Sequence, residues 1–212
     1  MKHNMTDDQG RMTDVKRMAL FASICLFIIL SFSSCNTEYT AKPKAYPRVE
    51  YPERKYEMYD PATCPYKFEI PTYAKVNIDS SFFGDRTIPA CWVNIDFPAF
   101  NGTINLTYKD VNAKQSIEKL VDDAHKMSYK HTKKADYINE VGIANAHGVS
   151  GILYDVGGDA ASNIQFFLTD TNKHFIRGAL YFNNTPNADS MAPVINFVKE
   201  DLKHMLQTFE WK

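Results

Sequence analysis

Side chains that could carry out catalysis are few in this sequence, and they are widely separated along it. Asp155, Asp159 and Asp170 lie near His174 in one stretch of the chain. Two carboxylates held roughly 5 to 10 Å apart in a cleft can act as general acid and base. Aspartates are also common beside strands, where they accept hydrogen bonds from turn amides. A hydrolase using Asp155, Asp170 or His174 is therefore one hypothesis, and a set of ordinary turn residues is the other.

A nucleophilic serine is the second chemistry to consider. The segment Gly148-Val149-Ser150-Gly151 partly matches the Gly-x-Ser-x-Gly elbow of serine hydrolases. Ile152 occupies the position of the second glycine, and no helical pattern follows the serine. Gly157-Gly158-Asp159 lacks the helix and lysine that accompany a phosphate-binding loop, so it predicts a turn. Neither segment predicts an active site.

The histidines do not form a metal-binding pattern. His125 and His131 are six residues apart in the sequence, which puts them on different faces of a helix. His147, His174 and His204 are isolated, and no cysteine or histidine spacing matches a zinc site. We therefore expect no metal, no cofactor and no enzymatic activity.

Cys35 is the residue whose chemistry the sequence predicts most directly. Lys16-Arg17 precedes an uncharged apolar run over residues 18–32, and Ser33-Ser34 follows it. This order is typical of an export signal, and the run is shorter than the roughly 20 residues of a membrane-spanning helix. The ending resembles a bacterial lipobox, which implies a diacylglyceryl group on Cys35 and a lipoprotein signal peptide over residues 1–34. An uncleaved N-terminal anchor and a soluble secreted protein are the alternatives.

The lipid interpretation places the protein in the cell envelope. Two or three acyl chains, such as palmitate, hold a protein firmly to a bilayer, because each buried CH₂ contributes about 0.8 kcal/mol. We expect a lipid-anchored membrane protein that faces the periplasm, and the sequence leaves open which membrane carries it. A formal net charge of −1 gives no electrostatic footprint for nucleic acid. The expected partners are the membrane and other envelope proteins.

The two remaining cysteines leave two interpretations open, and so does the segment that precedes them. Cys64 and Cys91 would form a disulfide in an oxidising compartment, or they would be two buried free thiols.

Residues 35–60 are rich in tyrosine and proline and lack apolar periodicity. They predict either an extended tether between membrane and domain or a segment that docks on the domain or a partner.

Alternating apolar residues predict the first three strands of a single domain over residues 61–212, and four further apolar runs are strand candidates. Three such runs precede a helix whose apolar face begins at Ile117, and a meander of four antiparallel strands follows it. Within the last of these strands Gly178 indicates a bulge. The predicted runs are 66–70, 91–97, 104–108, 137–143, 152–156, 164–169 and 175–182.

A second, longer helix closes the chain. Asp189-Ser190 is predicted as its N-cap, with Pro193 in the first turn, and an apolar stripe runs to Phe209. The predicted fold class is α+β, an antiparallel sheet of about six strands with two packed helices. The element order is similar to that of the Mog1/PsbP-type sandwich, which is an analogy of fold and not of function.

Two surface features are candidate sites outside catalysis. Asp170, Lys173 and His174 belong to a predicted hairpin tip, which is either a contact loop or an ordinary solvated turn. Asp189-Ser190-Met191 is similar to a sequon that carries O-linked sugar in some exported bacterial proteins, which makes Ser190 a candidate for glycosylation. Helix capping is the alternative explanation of the same residues.

Taken together, these segments resemble the gliding motility lipoprotein GldD family over essentially the whole chain after Cys35. No single segment is diagnostic, but the set in this order is specific. The segments are Pro-Lys-Ala-Tyr-Pro-Arg-Val-Glu-Tyr-Pro at 43–52, Cys64-Pro65-Tyr66-Lys67-Phe68-Glu69, Cys91-Trp92, the 101–109 strand, Gln165-Phe166-Phe167-Leu168-Thr169-Asp170, Lys173-His174-Phe175, Gly178-Ala179-Leu180-Tyr181-Phe182 and the stretch from Pro186 to Lys212.

The resemblance implies a non-enzymatic accessory or assembly factor for gliding motility and the type IX secretion machinery, with its lipid on Cys35. It brings no catalytic residues with it. An envelope hydrolase and a small-ligand carrier that uses a cleft between sheet and helices are the alternative functions. Full rescue of a deletion by variants of Asp155, Asp170 and His174 would exclude the hydrolase.

Overall fold

The structure is a computed structural model that describes residues 18–24, 48–78 and 91–212. The chain divides into two units, Met1–Lys44 and Ala45–Lys212. In the first unit, residues 18–24 form helix α1, whose side chains are exposed. Cys35 and most of the predicted signal peptide lie outside the described residues. Among the helices that the structure describes, none combines the length and the apolar character needed to cross a bilayer.

A seven-stranded antiparallel sheet forms the centre of the second unit. Its strand order is β3-β4-β5-β9-β8-β7-β6. The predicted hairpin and the predicted four-strand meander are both confirmed, because β4 pairs with β5 and β6 to β9 pair in sequence order. The strands are β3 (Lys75–Asn77), β4 (Val93–Phe97), β5 (Gly102–Asp110), β6 (Ala135–Ala144), β7 (Ser150–Gly158), β8 (Ile164–Thr169) and β9 (His174–Phe182).

The two helices of this unit pack on opposite faces of the large sheet. Helix α2 (Ile117–Tyr129) shares a small core with β7, β8 and β9, to which it contributes Leu120 and Ala124. Helix α3 (Ala188–Thr208) lies in the larger core on the other face. A second sheet of three strands, in the order β1-β2-β10, contributes to this larger core through β2. Its strands are β1 (Tyr56–Tyr59), β2 (Tyr66–Pro71) and β10 (Glu210–Trp211).

The fold class is therefore confirmed as α+β with antiparallel sheets, and the main sheet has seven strands where about six were expected. The additional strand of the main sheet is β3, which has three residues, and the second sheet contains two further short strands, β1 with four residues and β10 with two. Such short strands are too brief to show the alternation that identifies a strand in sequence. Helix α2 ends at Tyr129, and a 3-10 turn at Lys130–Lys133 follows it.

The predicted start of α3 was wrong. Asn187 is the N-cap, in an extended conformation, and its side chain accepts a hydrogen bond from the Ser190 backbone N–H at 3.0 Å. Asp189 and Ser190 lie inside the first turn, and Pro193 falls in the second turn rather than the first. Asparagine caps a helix as well as aspartate or serine does, so residue type alone did not distinguish the true cap from Asp189 or Ser190. The predicted N-cap therefore lay two or three residues after the observed one. Because Ser190 is not the N-cap, capping does not account for the Asp189-Ser190 pair, and glycosylation of Ser190 stays a prediction.

The predicted bulge at Gly178 was also wrong. The register of β9 with both neighbouring strands continues unbroken through Gly178. A Cβ atom at this position would lie 2.1 Å from the ring of Phe166, which is buried. The glycine is therefore required by the close approach of an aromatic ring, and the irregularity of the sheet falls instead between Ala135 and Tyr137 of β6.

We expect Gly178→Ala to lower the free energy of unfolding by about 2 kcal/mol, because the Phe166 ring must move within a packed core. Urea unfolding monitored by circular dichroism measures this. Gly142→Ala is the matched control, since it is also a glycine within a strand but its added Cβ would meet nothing within 4 Å. Equal stability of the two variants would contradict the packing explanation.

Candidate functional site

The three candidate catalytic aspartates do not form one site. Asp155 of β7 is paired with Ile164 at the start of β8, whereas Asp170 follows the other end of that strand. A strand of this length separates its ends by about 17 to 20 Å. The Asp159 carboxylate accepts a hydrogen bond from the Ala188 backbone N–H at the start of α3, at 2.8 Å. The geometry therefore does not provide a pair of carboxylates for acid–base chemistry from these residues.

Each of the other two aspartates has a structural partner. The Asp155 carboxylate pairs with the Lys199 ammonium of α3 at 2.6 Å. One oxygen of Asp170 accepts hydrogen bonds from the backbone N–H groups of Asn172, Lys173 and His174 at 3.0, 2.8 and 2.9 Å. Burial acts to raise the pKa of Asp170, but these backbone hydrogen bonds outweigh it and lower the pKa. Asp170 is therefore an ionised anchor of the turn.

Ser150 is not placed as a nucleophile. It begins β7, where its hydroxyl lies 3.4 Å from the Thr169 carbonyl oxygen and donates to it. Gly148 has a φ of +74°, in the left-handed region that favours glycine. The turn before β7 therefore accounts for this glycine. A nucleophile elbow requires a strand followed directly by a helix, and here the serine enters a nine-residue strand instead.

Two of the three residues of the predicted contact loop at the hairpin tip are held against the domain. His174 stacks on the Trp211 ring with centroids 5.2 Å apart, and its Nδ1 lies 2.7 Å from the Tyr108 hydroxyl. That hydroxyl also donates to the Asp110 carboxylate at 2.6 Å. Lys173 is exposed, whereas Asp170 and His174 are partly buried. A contact role for the loop stays a prediction, and Lys173 is the member that the solvent reaches.

Cys64 and Cys91 form a disulfide in the structure, with Cα atoms 5.4 Å apart. Both residues are buried. The bond joins the chain just before β2 to the chain just before β4, and so it links the small sheet to the large one. The alternative of two free thiols is not what the structure contains.

The described part of the tyrosine- and proline-rich segment lies on the domain. Tyr51 packs against Phe197 of α3 with ring centroids 4.6 Å apart, and the Arg54 guanidinium lies over the same ring at 4.1 Å. Further along, Tyr56 to Tyr59 form β1 and pair with β2. For residues 48–60 these contacts favour the docked interpretation over a free tether.

The docked segment is held by a buried carboxylate that the sequence analysis did not identify. Asp201 of α3 is 1% exposed. It accepts hydrogen bonds from Arg54 Nε at 3.1 Å, from the Tyr56 hydroxyl at 2.9 Å and from the Tyr73 hydroxyl. Asp201 lies three residues after Val198 on the buried stripe of α3. An aspartate at a buried position of an apolar helix face is the sequence feature that could have identified it.

Stability at alkaline pH should reflect this cluster. Burial, followed by the hydrogen bond to Asp201, raises the pKa of Tyr56 to about 12. The folded protein retains this proton when the unfolded chain has lost it, so the stabilisation is complete below about pH 10 and is lost as the pH rises towards 12. We expect the urea midpoint to fall between pH 10 and 12, and to fall less steeply in Tyr56→Phe. Parallel pH profiles of the two proteins would contradict this.

Strand β6 is the longer of the two edge strands of the large sheet. It is ten residues long, whereas β3 at the opposite edge has three. Within the described residues β7 is its only strand partner. Tyr137 and Val141 are each 50% exposed, and of the residue types that protect sheet edges the strand contains Asp136 and Glu140 but no lysine and no proline. Proteins normally protect long sheet edges with such residues, because an open edge can pair with another chain.

The described residues contain no candidate metal centre, and the pocket beside the start of α3 is small. Within residues 18–24, 48–78 and 91–212, no group of three or more histidine, cysteine, aspartate or glutamate side chains could hold a metal ion. A pocket beside the start of α3, lined in part by Ala160, Met191 and Ile195, has a cavity volume of about 20 Å³. That volume accommodates about one water molecule, so this pocket gives no support to a small-ligand carrier.

The comparison with protein-family models agrees with the resemblance drawn from the sequence. A family model described as gliding motility lipoprotein GldD matches residues 36–211. No curated protein matches the chain. The solution structure of cyanobacterial PsbP (CyanoP) from Synechocystis sp. PCC 6803 is similar with a TM-score of 0.45 and 11% identity, over 76% of this chain and 95% of that one.

Proposed function

Because this chain belongs to the gliding motility lipoprotein GldD family, we propose that it is a non-enzymatic accessory factor of the gliding and type IX secretion machinery. In this proposal a lipid on Cys35 holds the protein to an envelope membrane, and its domain faces the periplasm. Its partners are other envelope proteins of that machinery. The structural partners of Asp155, Asp159 and Asp170 support a role that does not depend on catalysis by these residues.

The proposed lipid anchor would keep the domain close to the membrane. A chain extends by at most about 3.3 to 3.6 Å per residue, so the segment from Cys35 to Arg48 spans no more than about 45 Å. Beyond that segment, Tyr51 and Arg54 already contact α3. The docking of residues 48–60 therefore shortens the distance over which the domain could move away from its lipid.

The observation that carries the proposed function is the open edge of β6. A strand of ten residues is nearly twice the usual length, and it offers backbone N–H and C=O groups to a further strand. Val141 is opposite Leu153 and Tyr137 is opposite Gly157, which puts both on the same face of the sheet. We propose that β6 binds an extended segment of an envelope protein with apolar residues at alternate positions, which would pack against Tyr137 and Val141.

Photo-crosslinking in cells tests this proposal. A photoreactive amino acid replaces Val141 in one strain and Met58 in another, and ultraviolet-dependent adducts are identified by mass spectrometry. Met58 is a matched control, because it is 53% exposed and lies on the short edge strand β1 of the other sheet. We expect an adduct with an envelope protein from position 141 and none from position 58. No adduct from position 141, or the same adduct from both positions, would contradict the proposal.

A further inference from the structure

A polar cluster lies on the face of the large sheet that carries α2, away from β6 and the docked segment. Its centre is Arg177 of β9, which is opposite Thr107 of β5 and Phe167 of β8. Gln165 and Tyr154 are paired with each other across β8 and β7 on the same face. The Oε1 atom of Gln165 accepts hydrogen bonds from the Arg177 guanidinium and, at 3.4 Å, from the Ser128 hydroxyl of α2.

Three hydrogen-bond donors of this cluster have no partner among the described residues. They are Nε of Arg177, Nε2 of Gln165 and the hydroxyl of Tyr154. Gln165 is 0% exposed and Tyr154 is 1% exposed. The orientation of the Gln165 amide is fixed, because its oxygen must face the Arg177 guanidinium. Buried donors without partners each destabilise a fold by about 1 to 3 kcal/mol, so such a concentration of them is unusual.

The cluster also contains a positive charge without a carboxylate to balance it. No aspartate or glutamate of the described residues forms an ion pair with Arg177. Burial lowers the pKa of the Arg177 guanidinium, and the nearby phenols of Tyr181 and Tyr154 act in the opposite direction. Burial and the charge of Arg177 together lower the pKa of His131, which shows that the 3-10 turn after α2 lies within the electrostatic reach of the guanidinium.

We propose that this cluster binds a phosphate group, with Arg177 as its principal ligand and with Tyr154 and Gln165 as additional donors. A guanidinium recognises phosphate through two parallel N–H···O bonds, and hydrogen bonds between charged groups are about twice as strong as neutral ones. The two unpartnered nitrogen atoms can only donate, and the Tyr154 hydroxyl can donate as well as accept, so the set fits an oxyanion better than a cation. The exposed lysines of the adjoining turn, Lys130 and Lys133, add to the attraction for a negative charge.

The phosphate could be free or could belong to a phospholipid head group, and the two sources are distinguished by experiment. The protein is the mature chain from residue 35 with Cys35→Ser, so that membrane binding cannot occur through the lipid. Inorganic phosphate is titrated while the ¹H–¹⁵N resonance of Arg177 Nε is followed by NMR, with sodium chloride at matched ionic strength as the control. Co-sedimentation with vesicles compares phosphatidic acid in phosphatidylcholine with phosphatidylcholine alone.

We expect a saturable shift of the Arg177 resonance with phosphate and not with chloride. Tyr154→Phe keeps the buried ring and removes one donor, so it should weaken binding by about threefold to tenfold. Arg177→Gln should weaken it by more than about tenfold. Binding to phosphatidic acid vesicles in addition would identify a lipid head group, and its absence would identify free phosphate.

The inference is overturned if phosphate gives no saturable shift beyond the chloride control, which is the result expected when the donors bind ordered water only. It is also overturned if Tyr154→Phe binds phosphate as tightly as the unmodified protein. The second result remains decisive even where Arg177→Gln does not fold, because Tyr154→Phe leaves the core packing in place. Neither outcome depends on the role proposed for β6.

Discussion

Replacement of Asp201 by alanine is expected to lower the free energy of unfolding by about 3 kcal/mol, because removing one member of a buried hydrogen-bonded network leaves the other members without a partner. The Tyr56 and Tyr73 hydroxyls lose a charged acceptor, and Arg54 loses its ion pair. Arg54 is 38% exposed and can turn to solvent, so most of the loss comes from the tyrosines. The same change should release residues 48–60 from α3.

Two measurements together test this prediction. Urea unfolding gives the stability, and limited trypsin digestion at Arg54 and Lys55 reports release of the segment. Glu200→Ala is the control, because it removes the neighbouring carboxylate of the same helix, whose partner Lys203 lies 2.7 Å away on the exposed surface. We expect the control to change stability by less than about 0.5 kcal/mol. Similar losses in the two variants, or unchanged digestion in Asp201→Ala, would contradict the role assigned to Asp201.

Loss of the Cys64–Cys91 disulfide should have an effect of comparable size. The two cysteines are 27 residues apart, and in the chain-entropy model a loop of this length stabilises the folded state by about 3.5 kcal/mol. We expect the Cys64→Ser/Cys91→Ser double variant to melt roughly 7 to 14 °C below the unmodified protein. Differential scanning calorimetry measures the shift.

Reduction provides the internal control for the disulfide. A reducing agent should lower the melting temperature of the unmodified protein towards that of the double variant, and it should leave the double variant unchanged. If the reducing agent lowered both melting temperatures equally, the effect would not come from this bond. If it lowered neither, and the double variant melted with the unmodified protein, the bond would not stabilise the domain.

Regular periodicity is what made much of this fold predictable from sequence. The hairpin of β4 and β5 and the apolar stripe of α3 have runs in which burial follows the period of the element. The meander strands lack this alternation, since β8 for example is buried at every position, and turn residues between apolar runs indicated them instead. Where the elements are short the pattern fails. Strand β10 has two residues and exists because it pairs with β2, a contact between Trp211 and Tyr66 that only the folded chain creates.

The polar clusters were beyond prediction for the same reason. Arg177, Gln165 and Tyr154 come from three different strands, and their proximity depends on the register of β7, β8 and β9. Asp201 and its partner Arg54 are 147 positions apart in the sequence. The sequence did identify Asp170 and His174 as residues of a hairpin tip, because turn residues and strand ends are local features.

The central claim is that the protein works by contact through β6 and not by catalysis. The most direct test is to complement a deletion strain with three variants at equal protein levels and to measure colony spreading and type IX secretion. We predict that the combined Asp155→Asn, Asp170→Asn and His174→Ala variant restores both, whereas Val141→Lys restores neither and its control Met58→Lys restores both. Failure of the triple variant together with full rescue by Val141→Lys would contradict the account.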